Sequence, residues 1–418
     1  MKQLTALLIS LLLFGCNQKK DEYGELRVGV SYQSITPKIG AFIAGDKNNR
    51  RFTTVHDSLY VKAMVLSDSK NTMAIVVYDC IGMLYPTLVE IRKEVSSRIP
   101  ASEFDASHIV MASTHTHSGP DVVGIWGPDQ MTSGVDSEYM EEIIQKSADA
   151  IDAAWKNRQE ATVVYAETQF GEDWVFNISD SLSLDRSLTI LQFLDHKGES
   201  IATLNNFACH PTIMDGASSA VSADYVSSMY TVLNKKIGGV NFFLQGAIGG
   251  WVQPEYEAKS FERVNKRGQE LGTKITTALE VPIKLSSESI QFKSSIFNLP
   301  VSNVNFQQLT KMGVINRSIT DSVRTEVAWF SIGNAQFVTH PGETTPTHSF
   351  ESKRLMTNEG PRFVIGLGMD ALGYILTPEF YEENPKVKHS EYLTEMSIDE
   401  QAGVVLIDHI SSLANKNQ

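Results

Sequence analysis

Short apolar runs alternate with stretches of helical periodicity along most of the chain. Runs of strand character cover 26–31, 59–66, 72–79, 108–113, 162–167, 188–194, 201–209, 241–245, 290–297, 326–332 and 362–367. Between them, Met140, Ile143, Ile144, Ala148, Ile151 and Trp155 fall on one face of a helix expected over 137–155, with Asp136 placed to cap it. Ser147 shares that face, and its hydroxyl can bond back to the preceding turn. Helices are also expected over 86–98, 224–236 and 257–279. A last one runs to Ser412, opened by Ser397 with Glu400 three residues on, a capping-box pattern. Strands alternating with helices predict an α/β protein: mixed, mostly parallel sheets with flanking helices in one large domain. The softest internal boundary, 280–288, has motifs on both sides and is not a cut.

The first residues follow a different pattern. After Lys2, positions 4–14 are apolar except Thr5 and Ser10. That run is too short for a membrane span, which needs ~20 helical residues, and suits the apolar region of an export signal. Leu13-Phe14-Gly15-Cys16 then has the form of a lipobox, in which a small residue precedes a cysteine that becomes lipidated and N-terminal after cleavage. A plain signal with an incidental cysteine fits less well, because Cys16 sits at the end of the apolar run. Residues 1–16 are thus expected to be a lipoprotein signal peptide with Cys16 retained and lipidated, 17–24 a flexible tether, and 25–418 the folded domain. The expected location is the bacterial cell envelope, lipid-anchored at the outer membrane or cell surface.

Composition narrows the partners. The chain has 418 residues, 42% hydrophobic and 20% charged, which is ordinary for a folded protein. Its net charge of −13 comes without a Lys/Arg stripe, so no nucleic-acid partner is expected. Three cysteines are too few for a disulfide scaffold. Cys80 and Cys209 end apolar runs, where buried thiols are common.

The chemistry concentrates where strands meet turn-forming residues. In HIVMASTHTHSGP (108–120), a strand runs into His115 and His117, which extended backbone would point to one side, a normal start to a metal site. A second run, LNNFACHPTIM (204–214), ends in His210 followed by proline. A third, FVTHPGET (337–344), reaches Glu343 just beyond Pro341-Gly342. A fourth, MDALGYI (369–375), is interrupted by Gly373-Tyr374. The first three place a metal-capable side chain beside a turn, where open α/β sheets usually keep their sites.

In these motifs and their order, the chain resembles the N-terminal catalytic domain of the neutral/alkaline, non-lysosomal ceramidases. The resemblance runs from Val28-Gly29-Val30 and Ile35-Thr36-Pro37 through His56–Ala63 and the Thr-His-Thr-His-Ser-Gly-Pro box. It continues through Phe207–Thr212, Gln245-Gly246-Ala247 and Pro341-Gly342-Glu343 to Gly373-Tyr374-Ile375. It implies one catalytic Zn2+ held by His115, His210, Glu343 and Tyr374. His117 would lie beside the metal against the substrate carbonyl, and His117 or Tyr374 would help to stabilise the oxyanion. The implied activity is zinc-dependent amide hydrolysis by activated water, on ceramide or a related N-acyl lipid.

The chain departs from that pattern in places. After Gln245-Gly246 the family carries a Gly-Asp-Val-Ser-Pro-Asn-like segment, where this chain reads Ala247-Ile248-Gly249-Gly250-Trp251. Where the family has an arginine after an asparagine, Ile178 follows Asn177. The family's C-terminal β-sandwich domain is not expected in this chain. These departures motivate two alternatives: a zinc esterase or deacylase acting on an acylated carbohydrate, or a non-catalytic surface-binding lipoprotein.

Other candidates have plainer readings. His340 and His348, flanking Glu343, are expected to support the ligands rather than bind metal. Asp79 and Asp224 are expected to hydrogen-bond or cap. His56, His108, His196, His389 and His409 read as structural or surface residues. Trp126 and Trp251 read first as packing, with a cleft-lining role second.

Overall fold

The computed structural model describes residues 26–255, 257–357 and 359–415. The expected signal, Cys16 and the tether lie outside them. Three larger sheets carry the fold. The first orders its strands Ile109–Ser113, Thr72–Tyr78, Tyr60–Ser67, Arg27–Ser34 and Gln159–Glu160. Its central strands, YVKAMVLS and TMAIVVY, are buried almost throughout, which is why they read as continuous apolar runs rather than alternating ones. Helix Ser137–Lys156 packs on this sheet. Asp136 caps the helix by accepting from the N–H groups of Glu138 and Tyr139. Ser147 donates back to the Ile143 carbonyl (2.6 Å) and accepts from the Tyr78 hydroxyl (2.9 Å).

The second sheet orders Val240–Gln245, Ser200–Phe207, Ser187–Leu194, Thr162–Gln169 and Ile283–Lys284. The paired helices Tyr225–Lys236 and Phe261–Ala278 lie against it. The third orders Ile290–Pro300, Ser322–Ile332, Ala335–Thr339 and Arg362–Ile365, with Pro346–Leu355 and Ala402–Asn415 beside it. Strand Ile283–Lys284 joins the second sheet at Thr162–Gln169, so 280–288 is an integral part of the fold.

The mixed α/β architecture is as expected, but the balance of strand directions differs. Antiparallel ladders predominate, because short polar turns such as 68–71 return the chain directly as hairpins. In each large sheet the parallel pairing is confined to one edge pair: Thr72–Tyr78 with Ile109–Ser113, Ser200–Phe207 with Val240–Gln245, and Ala335–Thr339 with Arg362–Ile365. The carboxyl ends of these pairs meet. Gly366 N–H donates to the Gln245 carbonyl (2.9 Å), and Met369 N–H to that of Met111 (2.7 Å).

The last helix begins at Ala402, not at Ser397. Ser397 Oγ instead accepts from the Tyr381 hydroxyl (2.6 Å), and Asp399 Oδ1 takes the Gln401 N–H (2.7 Å), so the capping box does not form. Helix Pro346–Leu355 carries little apolar periodicity and buries His348, Ser349 and Ser352. No helix among the described residues is long and apolar enough to cross a membrane.

Candidate metal centre

The strand before His115 ends at Ser113, and His115 itself adopts φ 70°, the left-handed region that non-glycine residues rarely enter. Its N–H donates to the Cys80 carbonyl (2.9 Å), anchoring the turn. His115 and His117 are therefore brought together by a tight turn rather than by strand alternation. Their rings meet edge to face, with centroids 4.9 Å apart.

His210 follows Ser200–Phe207, with its N–H on the Val252 carbonyl (2.9 Å). Glu343 and Tyr374 stand as register partners in a short parallel pair, Glu343–Thr344 with Tyr374–Ile375. One fully buried side chain ties the segments together. Gln245 Nε2 donates to the carbonyls of Thr114 (3.0 Å) and Cys209 (2.9 Å), and its Oε1 accepts from the N–H of Cys209 and of Gly246 (both 3.1 Å). Gly249 allows the loop to press on Glu343: a Cβ there would lie 2.4 Å from the Glu343 carbonyl oxygen.

Two ring nitrogens are fixed by backbone carbonyls, with His115 Nδ1 at 2.5 Å from Ile81 O and His210 Nδ1 at 2.7 Å from Val252 O. Each Nδ1 must donate, so in the neutral rings each Nε2 carries only a lone pair. Those Nε2 atoms face the Glu343 carboxylate, at 3.6 Å from His115 and 3.0 Å from His210. His117 Nε2 lies 3.3 Å from His115 Nε2.

Acceptors converging in a buried space repel unless a proton or cation lies among them. Zinc–ligand bonds of ~2.0–2.2 Å in tetrahedral geometry imply ligand–ligand edges of roughly 3.3 Å, and the observed separations bracket that value. The residues present thus fit a divalent zinc ion. His115, His117 and His210 also place one nitrogen each within 4.8 Å of one another, so His117 is within reach of the same centre.

The electrostatics agree. Burial pushes His115 down to about 3, keeping it neutral. Burial by itself would raise Glu343, but positive charge at His115 and His210, which a proton or cation there brings, outweighs it and holds the carboxyl at about 2, so the group is ionised. Burial would lower His117, but the Asp215 carboxylate outweighs it and raises the imidazole. Tyr374 is pushed well above the ordinary phenol value, by burial first and then by Glu343. Its phenol lies near the Glu343 carboxylate and the Trp251 side chain.

The remaining candidates sort by contact. His340 bridges Thr344 Oγ1 (2.7 Å) and Ser352 Oγ (2.9 Å), and His348 Nδ1 bonds Thr345 Oγ1 (2.9 Å), so both brace the segment following Glu343. Asp79 accepts the Tyr60 N–H (3.0 Å). Asp224 caps Tyr225 (2.8 Å) and holds the Met214 N–H (2.9 Å). His56 stacks on Phe261, and Trp126 packs on the main core. Trp251, at φ 62°, contacts His389 and Tyr392, placing aromatic surface next to Tyr374. Gln245 belongs to a box that carries the family resemblance, but its bracing role is visible only in the fold, and no sequence expectation falls on Asp215. The signal available for Asp215 was its place in the loop directly after His210.

A buried group of imidazoles and a carboxylate, at the carboxyl ends of parallel strand pairs in an α/β scaffold, makes a candidate metal site. The family model described as neutral/alkaline non-lysosomal ceramidase, N-terminal, matches residues 27–253, and the chain belongs to that family. Neutral ceramidase B of Dictyostelium discoideum is 23% identical over 203 residues, covering 44% of this chain and 28% of that protein. Neutral ceramidase A of the same organism is 23% identical over 188 residues, covering 41% and 26%. These matches span less than a third of the curated relatives' length. The crystal structure of neutral ceramidase from Pseudomonas aeruginosa has TM-score 0.75 at 15% identity, covering 94% of this chain and 75% of that one. A ceramidase complexed with C2 gives 0.73 at 14%, covering 94% and 76%. The fold is thus shared well beyond the family match, through the segments carrying Glu343 and Tyr374.

Proposed function

We propose that the protein is an exported, zinc-dependent hydrolase that cleaves an N-acyl amide bond, in ceramide or a related N-acyl lipid. The observation that carries this reading is the convergence of the His115 and His210 Nε2 lone pairs on the ionised Glu343 carboxylate. Family membership and the neutral ceramidase fold support the substrate class.

His115, His210 and Glu343 would hold the ion, with Tyr374 at its edge. When bound, zinc supplies Lewis-acid polarisation of the acyl carbonyl and makes water acidic enough to act as a nucleophile near neutral pH. The chain does the rest. The Ile81 and Val252 carbonyls orient the two imidazoles. Tyr374 keeps its proton, and its O–H is available to the negative charge that develops on the carbonyl oxygen. His117 faces the same space, beside the substrate carbonyl.

The envelope location, with residues 1–16 as signal, Cys16 as lipid anchor, 17–24 as tether and 25–418 as catalytic domain, belongs to this proposal and rests on the lipobox. The test is metal analysis of the purified protein, followed by turnover of fluorescent N-acyl-sphingosine with and without chelator. Stoichiometric zinc with chelator-sensitive cleavage is expected. A protein that stays metal-free after zinc supplementation overturns the reading.

One observation favours a second substrate. Trp251, Tyr392 and His389 form an aromatic group beside Tyr374, a surface on which a sugar ring can stack, and Ile178 stands where the family carries an arginine. A panel of acylated sugars beside ceramide decides: turnover of sugar esters without ceramide cleavage selects the carbohydrate deacylase.

A further inference from the structure

The loop after His210 carries a carboxylate that the proposed reaction has not used. Asp215 Oδ1 lies 3.4 Å from His117 Nδ1. Both atoms are shielded from solvent and neither has a hydrogen-bond partner, so at 3.4 Å they are in contact without a formed hydrogen bond. The loop holds the carboxylate in place. Asp215 N–H donates to the Thr212 carbonyl (3.2 Å), Met214 N–H donates to Asp224 Oδ2 (2.9 Å), and the Lys259 ammonium holds the Asp215 carbonyl. Gly45 confines the imidazole from another side, since a Cβ there would stand 2.5 Å from His117 Nδ1. The far nitrogen, Nε2, points at the metal-binding group, 3.3 Å from His115 Nε2.

We infer that Asp215 is a positioning residue for His117: it accepts from Nδ1–H, fixes that tautomer, and leaves the Nε2 lone pair aimed into the centre. A buried carboxylate oxygen and a buried ring nitrogen that face only each other are both satisfied when the nitrogen donates. An imidazole held this way presents an acceptor on its opposite side. His117 Nε2 then accepts the proton that the attacking water gives up and can return it to the leaving amine nitrogen. One short loop thereby supplies both a proposed metal ligand, His210, and the carboxylate that sets its neighbour's orientation. The functional half of this inference rests on the hydrolase reading; the structural half stands by itself.

Nitrogen-15 NMR of the histidine-labelled full chain, with metal removed, reads the tautomer directly. The wild type is expected to show His117 with a pyrrole-type Nδ1 and a pyridine-type Nε2, and Asp215→Ala to lose that pattern. In zinc-loaded protein, Asp215→Ala is expected to lower kcat ~10–100-fold, with zinc content retained and KM within about twofold, and Asp215→Glu to recover part of the loss. A pyridine-type Nδ1 in the wild type, or an unchanged His117 pattern in Asp215→Ala, overturns the inference. The wild-type spectrum needs no variant to fold. A wild type that neither binds zinc nor cleaves amides would defeat the hydrolase reading, while the spectra would still decide the pairing.

Discussion

Glu343 and Tyr374 are register partners in a parallel strand pair of two residues each, which sets the carboxylate and the phenol next to each other. The backbone pairing sets their separation, so an anionic group and a neutral donor are held side by side at the mouth of a cluster of imidazoles. The two can be separated experimentally, because one carries charge and the other only a proton.

Glu343→Gln removes the charge that His115 and His210 face at 3.6 Å and 3.0 Å while preserving side-chain shape. Zinc affinity is expected to fall by more than ~100-fold, beyond the loss typical of a residue that merely supports a ligand. Metal content by elemental analysis, with the thermal midpoint of the metal-free protein as a fold control, checks this. Full zinc occupancy in the variant would contradict it.

Tyr374→Phe keeps the ring and deletes the hydroxyl. We expect kcat to drop ~10²–10³-fold, the usual cost of one donor to a developing oxyanion, with a smaller loss of zinc than in Glu343→Gln. Steady-state kinetics at saturating zinc measure the first quantity and elemental analysis the second.

Gln245→Leu tests the internal staple. The substitution would strand the Thr114 carbonyl and the Cys209 N–H, whereas the Cys209 carbonyl keeps the Tyr225 hydroxyl and the Gly246 N–H keeps the Phe207 carbonyl. Unsatisfied buried groups cost ~1–3 kcal/mol each, so a destabilisation of roughly 3–5 kcal/mol is expected by denaturant titration. A change below about 1 kcal/mol would show that the sheets dock without it.

Acid sensitivity follows from two buried imidazoles. Burial pushes His340 down to about 3 and His348 down to about 4, against an ordinary value of ~6.5. Between those limits the unfolded chain binds more protons than the folded one, so stability rises with pH. The contribution is complete above about 6.5 and is lost as pH falls toward about 4 and then about 3. Thermal midpoints recorded from pH 7 to pH 4 should decline, and His340→Gln should decline less steeply over that range. Parallel curves would remove His340 from the account.

Much of the scaffold is legible in the sequence because its strands are continuous apolar runs ended by turn residues. Thr72–Tyr78 and Ser200–Phe207 are clear for that reason, and Ser137–Lys156 announces itself through its periodicity and Asp136. Strand direction is less legible, since it depends on how connections route through space, and neighbours in a hairpin run antiparallel whatever their composition. Helix Pro346–Leu355 escapes notice because it buries the polar residues His348, Ser349 and Ser352, which bond to Thr345, Asp185 and His340 rather than forming an apolar face. The residues that the structure gathers at the centre stand out as chemically capable side chains beside turns. Asp215 does not, because an aspartate in a polar loop has an ordinary turn role, and only the folded chain shows which ring it faces.

The parallel pairs of three separate sheets end at one point, and His115, His210 and Glu343 each arrive on a different one. A cation seated there fastens the three layers like a rivet, so its binding energy is spread over the docking of the entire domain rather than spent on a local loop. Loading the ion would therefore raise the melting temperature of the chain as a whole, and chelation would loosen all three layers together.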